Sequence, residues 1–443
     1  MRILNTHTEI EASVTDFILG VSWQDVPGDV QSMAIRCLVD LCATLAAGQK
    51  TELGMISRNV ATAVYGGNDA TLLFDGRKVS AAGAALANGM SIDAMDMHDG
   101  YRPAKGHAGV NVIPAALAMG EKVNWTGEAF LGALVVGYEV ALRAAVVLHR
   151  TACDYHTSGA WGALGAAAVV ARALNLSPEQ TRHALGIAEY HGPRSQMMRC
   201  IDHPTMLKDG SGWGSMSGVL AGLLAAEGFT GAPALTVESD VEEWASLGDE
   251  WLMRDLYFKP YAVCRWAQPT VEAARQVSDA HRLQPETISR IDVYTFAAAT
   301  HLATSRPRNT EEAQYSLPYP VAAALIDGKL DPEQVTPPRI YDEAILSLAD
   351  RVAMHVDDTL EARFPNEALA RVVIHTQDGQ ALESAIHSAS GDPHNPLSDA
   401  AIEDKFFRLV SPVLGQEQAA ALFDACHTCA LRPSIHSFVR LLA

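Results

Sequence analysis

Residues 96 to 107 run Asp96-Met97-His98-Asp99-Gly100-Tyr101-Arg102-Pro103-Ala104-Lys105-Gly106-His107, and seven of these twelve side chains can donate, accept or hold a proton or charge. The flanks are the reverse: neither 80–92 nor 108–119 carries one charged residue. A dense titratable segment broken by Gly and Pro, set between two apolar stretches, has the composition of a loop that carries acid and base chemistry into a cleft. The bland alternative is a solvated surface loop.

Other segments offer compatible groups. His156, in Tyr155-His156-Thr157-Ser158-Gly159, precedes a small-residue helix whose free N–H groups and dipole favour an anion, so it can donate to a substrate carboxylate or simply cap and pack. Lys208 sits in Thr205-Met206-Leu207-Lys208-Asp209-Gly210. It precedes the glycines instead of following them, which is the wrong order for a phosphate loop and suits a carboxylate anchor or a base. Lys259, in Phe258-Lys259-Pro260-Tyr261, and Tyr319, in Tyr315-Ser316-Leu317-Pro318-Tyr319, read equally well as structural residues. With Arg102, Lys105, Arg194 and Arg199 they give an acidic chain many positive or donor groups on loops, and a pocket made by their convergence would take a small polycarboxylate.

Metal chemistry has weaker support. Asp96, His98, Asp99 and His107 are competent ligands, but Arg102 and Lys105 beside them oppose a divalent cation. Cys426-His427-Thr428-Cys429 lacks a second pair for zinc and lies on a helical pattern instead of beside a strand. No metal is expected.

The elements that must position these groups are mostly helical. From about Val30 to Ala267 apolar residues recur at spacings of three and four, as in Ser32 to Ala47, Phe130 to Leu148, Trp161 to Leu174 and Ser217 to Glu227. Gly214, Gly218 and Gly222 form a stripe that lets another helix backbone approach. Around Pro269 the pattern changes. Ile288 to Ala297 alternates in part, and Arg371 to Ile386 reads as a hairpin about an Asp378-Gly379 turn, with helical patterns at Pro320 to Leu325 and Asp342 to Arg351. Helix resumes from Asp399. The expected division is therefore 1–268 helical, 269–398 α+β, and 399–443 C-terminal helices returning to the first part.

A chain of 443 residues with 48% hydrophobic side chains can bury a large interior over two or three domains. Its net charge of -19 argues against a nucleic-acid surface and against anionic lipid. Seven scattered cysteines and an N-terminus, Met1 to Phe17, that carries Glu9, Glu11 and Asp16 without an apolar signal core read as cytoplasmic. The longest stretches free of Asp, Glu, Lys and Arg, 155–171 and 210–226, fall short of the roughly 20 apolar residues of a membrane span.

Taken in order, six segments resemble the MmgE/PrpD family of 2-methylcitrate dehydratase, cis-aconitate decarboxylase and iminodisuccinate epimerase. They are Asn88-Gly89-Met90 with Asp96 and His107; Tyr155-His156 before Gly162 to Ala168; Thr205 to Lys208 through Gly228-Phe229-Thr230-Gly231; Lys259-Pro260-Tyr261; Tyr315 to Tyr319; and Gly391 to Ser398 with Lys405-Phe406. The resemblance implies a mainly α fold, with a large all-helical domain formed from both chain ends and a smaller inserted α+β lid domain. It also implies a homodimer, no required cofactor, and active-site roles for Asp96, His107, His156, Lys208, Lys259 and Tyr319.

One departure bears on the reaction. Lyases of the family tend to read Asp-Phe-Asp-Asp-Thr where this chain has Asp96-Met97-His98-Asp99-Gly100. An acidic position has become His98 and a Thr position Gly100, while Tyr101, Arg102 and Lys105 add donors and bases. An epimerase needs two proton carriers about one carbon and support for the carbanion, with no leaving group to assist. The expectation is thus an epimerase acting α to a carboxylate, with Asp96, Tyr101, Lys105, His107, His156 and Lys208 as catalytic candidates and His98, Arg102, Lys259 and Tyr319 binding substrate. The alternatives are a dehydratase or decarboxylase of a related tricarboxylate, and a non-catalytic polycarboxylate-binding protein.

Overall fold

The computed structural model describes residues 7–239 and 241–443. The reading of the N-terminus as free of an apolar signal core falls partly on residues 1–6, outside the described residues.

Helices dominate, as the three- and four-residue spacing requires. The ones that frame the site are α1 (Gly28–Gly48), α2 (Ala81–Asp93), α3 (Gly109–Val123), α4 (Gly127–Thr151), α5 (Gly159–Ala173), α6 (Pro178–His191), α7 (Met197–Asp202) and α8 (Ser211–Ala226). Their starts follow capping chemistry. Ser80 and Thr126 each accept the backbone N–H three residues on, and Ser177 with Gln180 makes a reciprocal capping box before Pro178. Most of α2, α3, α4 and α5 is buried, which their near-continuous Ala, Gly, Val and Leu composition demands. Helices α1 and α4 are long and apolar enough to cross a membrane, yet 72% and 94% of their apolar windows lie inside the protein.

The glycine stripe does what its spacing predicts. A methyl group on Gly214 would meet the Gly159 Cα at 2.6 Å, and one on Gly218 would meet the Ala167 backbone N at 2.8 Å. Helices α5 and α8 therefore touch backbone to backbone.

Beyond α9 (Gln268–His281) the chain builds a sheet from β1 (Ile288–Thr295), β2 (Val352–Val356), β3 (Leu369–Thr376), β4 (Ala381–Glu383) and β5 (His387–Ser388). Strand β1 pairs parallel with β2, Ile291 opposite Val352, and antiparallel with β3, Val293 opposite Val372. The hairpin read about Asp378-Gly379 forms, with Ile374 opposite Leu382, and β5 also pairs with β3. Between β1 and β2 lie α10 (Thr310–Gln314), α11 (Pro318–Asp327) and α12 (Glu343–Ala349). Toward the C-terminus come α13 (Asp399–Leu414), packed on α1, and α14 (Gln416–His427), followed by short helical turns. Cys426 and Cys429 are buried free thiols there. Lys405 of α13 bonds Asp40 of α1 at 2.6 Å and the carbonyls of Met97 and Lys259 at 2.5 and 2.9 Å. One buried ammonium thus ties the last helices to the titratable loop.

Candidate active site

The loop leaves α2 at Asp93, reverses tightly over residues 102–105, and enters α3 at Gly109. The reversal closes with Tyr101 N–H on the Gly106 carbonyl at 2.9 Å and Lys105 N–H on Arg102 at 2.9 Å, with Lys105 in the left-handed region at φ 54°. It is not a solvated loop, since Asp96, His98, Asp99 and Tyr101 are all buried.

A cavity of about 290 Å³ opens over it. Asp96, Arg102, Lys105 and His107 of the loop line it. Tyr155, Met197, Met198, Ile201 and Asp209 join from the helical part, with Tyr257, Lys259, Cys264, Arg265, Trp266, Ala298, Tyr315, Phe364 and Pro365 from the second half of the chain. The acidic protein therefore presents four cationic side chains, Arg102, Lys105, Lys259 and Arg265, to one small volume.

Asp96 is the anchor of the group. Lys259 Nζ makes a short ion pair with its carboxylate, His107 Nε2 lies 4.0 Å from the same oxygen, and its backbone N–H donates to Gln314 Oε1 at 2.8 Å. Burial alone would raise its pKa, but the charges of Lys259 and then Lys208 outweigh burial and hold the carboxyl well below the usual carboxylate range.

His107 is prepared as a base. Its Nδ1 contacts the Asp99 carbonyl at 2.6 Å, and a carbonyl only accepts, so Nδ1 carries the proton and Nε2 presents a bare lone pair. Burial, then His98 and Lys259, depress the imidazole well below its ordinary pKa, so it is neutral at physiological pH.

Asp209 is its counterpart. Burial, then the nearby Asp93 carboxylate, push the Asp209 carboxyl up to about 7, although Ser158 donates a short hydrogen bond to it. The Ser158 hydroxyl also accepts the backbone N–H of His107 at 2.9 Å, so one side chain ties the acid's carboxyl to the base's backbone.

The arginines are arranged by a single carboxylate. Asp392, buried, receives Arg102 Nη2 and Arg265 Nη2, each at 2.7 Å, and Arg265 also lies over the Tyr257 ring at 4.5 Å. Two guanidiniums sharing one carboxylate leave positive charge facing the cavity.

Several sequence-predicted residues sit elsewhere. Lys208 is buried behind the lining; its Nζ bonds Gln314 Oε1 at 2.8 Å, the same oxygen that receives Asp96 N–H, and lies over the Tyr315 ring at 4.8 Å. His98 is fully buried beneath His107, ring edge to ring face at 4.4 Å, with Nε2 3.7 Å from Asp93. His156 stacks at 6.5 Å on His149, whose Nε2 accepts the His156 backbone N–H at 3.2 Å, and is not part of the lining. Tyr101 turns away among Asp255, Glu243, Glu139 and Arg143, where burial and these carboxylates raise the phenol to about 12. Tyr319 is not part of the lining: its hydroxyl donates to the Gln334 carbonyl at 2.6 Å, and Tyr315, four residues earlier, lines the cavity. The chain breaks between α10 and α11, so the two rings point differently.

Asp209, Tyr155, Tyr257, Arg265 and Asp392 were not singled out in the sequence. Asp209 carried a signal, adjacency to Lys208. Asp392 lay inside the Gly391 to Ser398 segment, but nothing in the sequence joined it to Arg265, 127 positions away. Among the described residues no group of three or more His, Cys, Asp or Glu side chains converges as a metal ion requires.

Comparison with known proteins agrees with the order of the motifs. The MmgE/PrpD N-terminal domain matches residues 12–244 and the MmgE/PrpD C-terminal domain residues 261–428. A cis-aconitate decarboxylase-like protein of Aspergillus oryzae is 24% identical, over 92% of both chains. The cis-aconitate decarboxylase of Aspergillus terreus is 21% identical over 95% of this chain and 93% of its own, and that of Homo sapiens 25% over 83% and 79%.

Proposed function

The chain belongs to the MmgE/PrpD family, and from that premise we propose that it is a lyase that removes carbon dioxide from a small unsaturated tricarboxylate resembling cis-aconitate. The observation that carries this reading is the pairing of a carboxyl held near neutrality, Asp209, with four cationic side chains around one cavity. Arg102, Arg265 and Lys105 hold the carboxylates that stay. The bond to the departing carboxylate breaks, its electron pair forms a new double bond, and the pair of the old double bond takes the proton of Asp209. Solvent restores that proton.

A second reading, loss of water from a hydroxylated tricarboxylate, is favoured by the bare Nε2 of His107. That nitrogen takes the proton α to a carboxylate while Asp209 protonates the departing hydroxyl. The epimerase expectation has less behind it. The substituted His98 is buried under His107 away from the lining, Tyr101 faces the other way, and the relatives named above are two cis-aconitate decarboxylases and a cis-aconitate decarboxylase-like protein. In the same proposal 1–268 and 399–443 form one helical domain, 269–398 is a lid over the cavity, and the protein is a homodimer.

Incubation with cis-aconitate, and separately with 2-methylcitrate, in deuterated water tests these readings together by NMR. Carbon dioxide release with deuterium in the alkene product is expected. Water loss alone moves the assignment to dehydratase, α-deuteration without net loss to epimerase, and binding without any reaction sinks all three.

A further inference from the structure

The cavity has a second surface whose chemistry the lyase reading does not use. Helix α7 brings Met197, Met198 and Ile201 to the lining, and the Met197 backbone N–H donates to the Tyr155 carbonyl at 2.7 Å. The Tyr155 ring lies 6.3 Å from that of Trp266, and Trp266 packs edge-on against Phe364 at 5.9 Å. Phe364 is backed by Phe296, stacked at 4.2 Å with an interplanar angle of 8°. Ring and backbone contacts thus join α7, Tyr155, Trp266 and Phe364 into one continuous apolar wall. Met198, Trp266 and Phe364 remain partly exposed, so this wall is open to whatever fills the cavity.

The charged residues form a separate group, also joined by their own contacts: Asp96 with Lys259 and His107, and Arg102 with Arg265 through Asp392. A ligand made only of carboxylates and short carbon links satisfies the charged group and leaves the wall against water. Apolar surface removed from water is favourable in proportion to its area, and rigid aromatic surface kept half-open beside a charged site is what an apolar substituent needs.

Resting on the polycarboxylate reading of the site, we infer that the substrate carries an apolar substituent of several carbons that lies along the wall of Met198, Ile201, Trp266 and Phe364 while its carboxylates meet the arginines and Lys105. The class is an alkyl- or aryl-substituted polycarboxylate. The wall selects by length, because each further methylene it covers tightens binding by about fourfold until the wall is filled.

Calorimetric titration of the full-length protein with succinate, methylsuccinate, butylsuccinate and hexylsuccinate tests this without chemistry, since none of these probes has a hydroxyl to eliminate or a double bond to accept a proton. The expected result is affinity rising along the series. A flat or falling series overturns the inference even if cis-aconitate is turned over, and so does binding by no member; the lyase reading is judged separately by that turnover. In Met198→Gln, which keeps size and removes apolarity, the ratio of hexylsuccinate to succinate affinity should fall by about tenfold or more. An unchanged ratio would assign the substituent to another surface and overturn the wall.

Discussion

The Nδ1 of His107 is fastened to the backbone carbonyl of Asp99 at 2.6 Å, and this one contact decides which nitrogen of the ring faces the cavity as a base. The contact uses the backbone of Asp99, not its carboxyl. The tautomer therefore depends on the path of the loop, which the buried Lys405 holds through the Met97 carbonyl.

The pH dependence of kcat/KM should show its alkaline limb near the Asp209 value of about 7, because an acid must be protonated to donate and its carboxyl loses the proton as pH rises through that value. No limb from His107 is expected near pH 6.5, since its pKa is depressed and it stays neutral down to more acid conditions. In Asp209→Asn the rate should fall by about 10²- to 10⁴-fold and the alkaline limb should disappear. A limb that survives the substitution assigns it to another group.

Lys259→Met removes the partner of a buried carboxylate. Leaving one charge of a buried pair uncompensated costs about 3–5 kcal/mol, so urea unfolding should show a loss of that order. The double variant Lys259→Met/Asp96→Leu should recover part of it. Equal losses in single and double variants would mean that the pair contributes through shape alone.

Gly100→Thr restores the residue type common at this position in family lyases. A Cβ there would stand 2.5 Å from Tyr257 Cζ and 2.8 Å from His107 Nδ1, so one or both rings must move. Turnover should fall at least tenfold while the far-ultraviolet circular dichroism stays helical. Wild-type turnover in Gly100→Thr would show that the loop relaxes without disturbing the imidazole.

Tyr319→Phe separates motif from position. Its hydroxyl serves the Gln334 carbonyl, and a buried acceptor left unpaired costs about 1–3 kcal/mol. A lower Tm with KM within twofold of wild type is expected. A tenfold rise in KM without loss of stability would bring Tyr319 to the substrate.

Periodicity made the helices and the Asp378-Gly379 hairpin legible, because burial of one face leaves a spacing that can be counted. Strand β2, Val352–Val356, left no such trace: none of its residues is buried, so nothing forces apolar alternation along it. The site was legible where chemistry is concentrated in one segment, as with Asp96, Arg102, Lys105 and His107. It was illegible where partners meet from afar. Asp209 becomes an acid through Asp93, 116 positions away, and through its own burial, neither of which the Lys208-Asp209-Gly210 text displays. Tyr101 was misplaced for a related reason, since the reversal at residues 102–105 points neighbours in the loop to opposite sides.

The glycine contacts between α5 and α8 extend to the ends of both helices. Gly159 opens α5 one residue after Ser158, Gly210 caps α8 one residue after Asp209, and a methyl group on Gly159 would collide with the Gly210 carbonyl. The spacing between the serine hydroxyl and the acid it serves is therefore set by two main chains in contact, with no side chain between them that could be exchanged to adjust it. Divergence of chemistry on this scaffold is then confined to what can vary without parting those helices: the loop above them and the wall across from it.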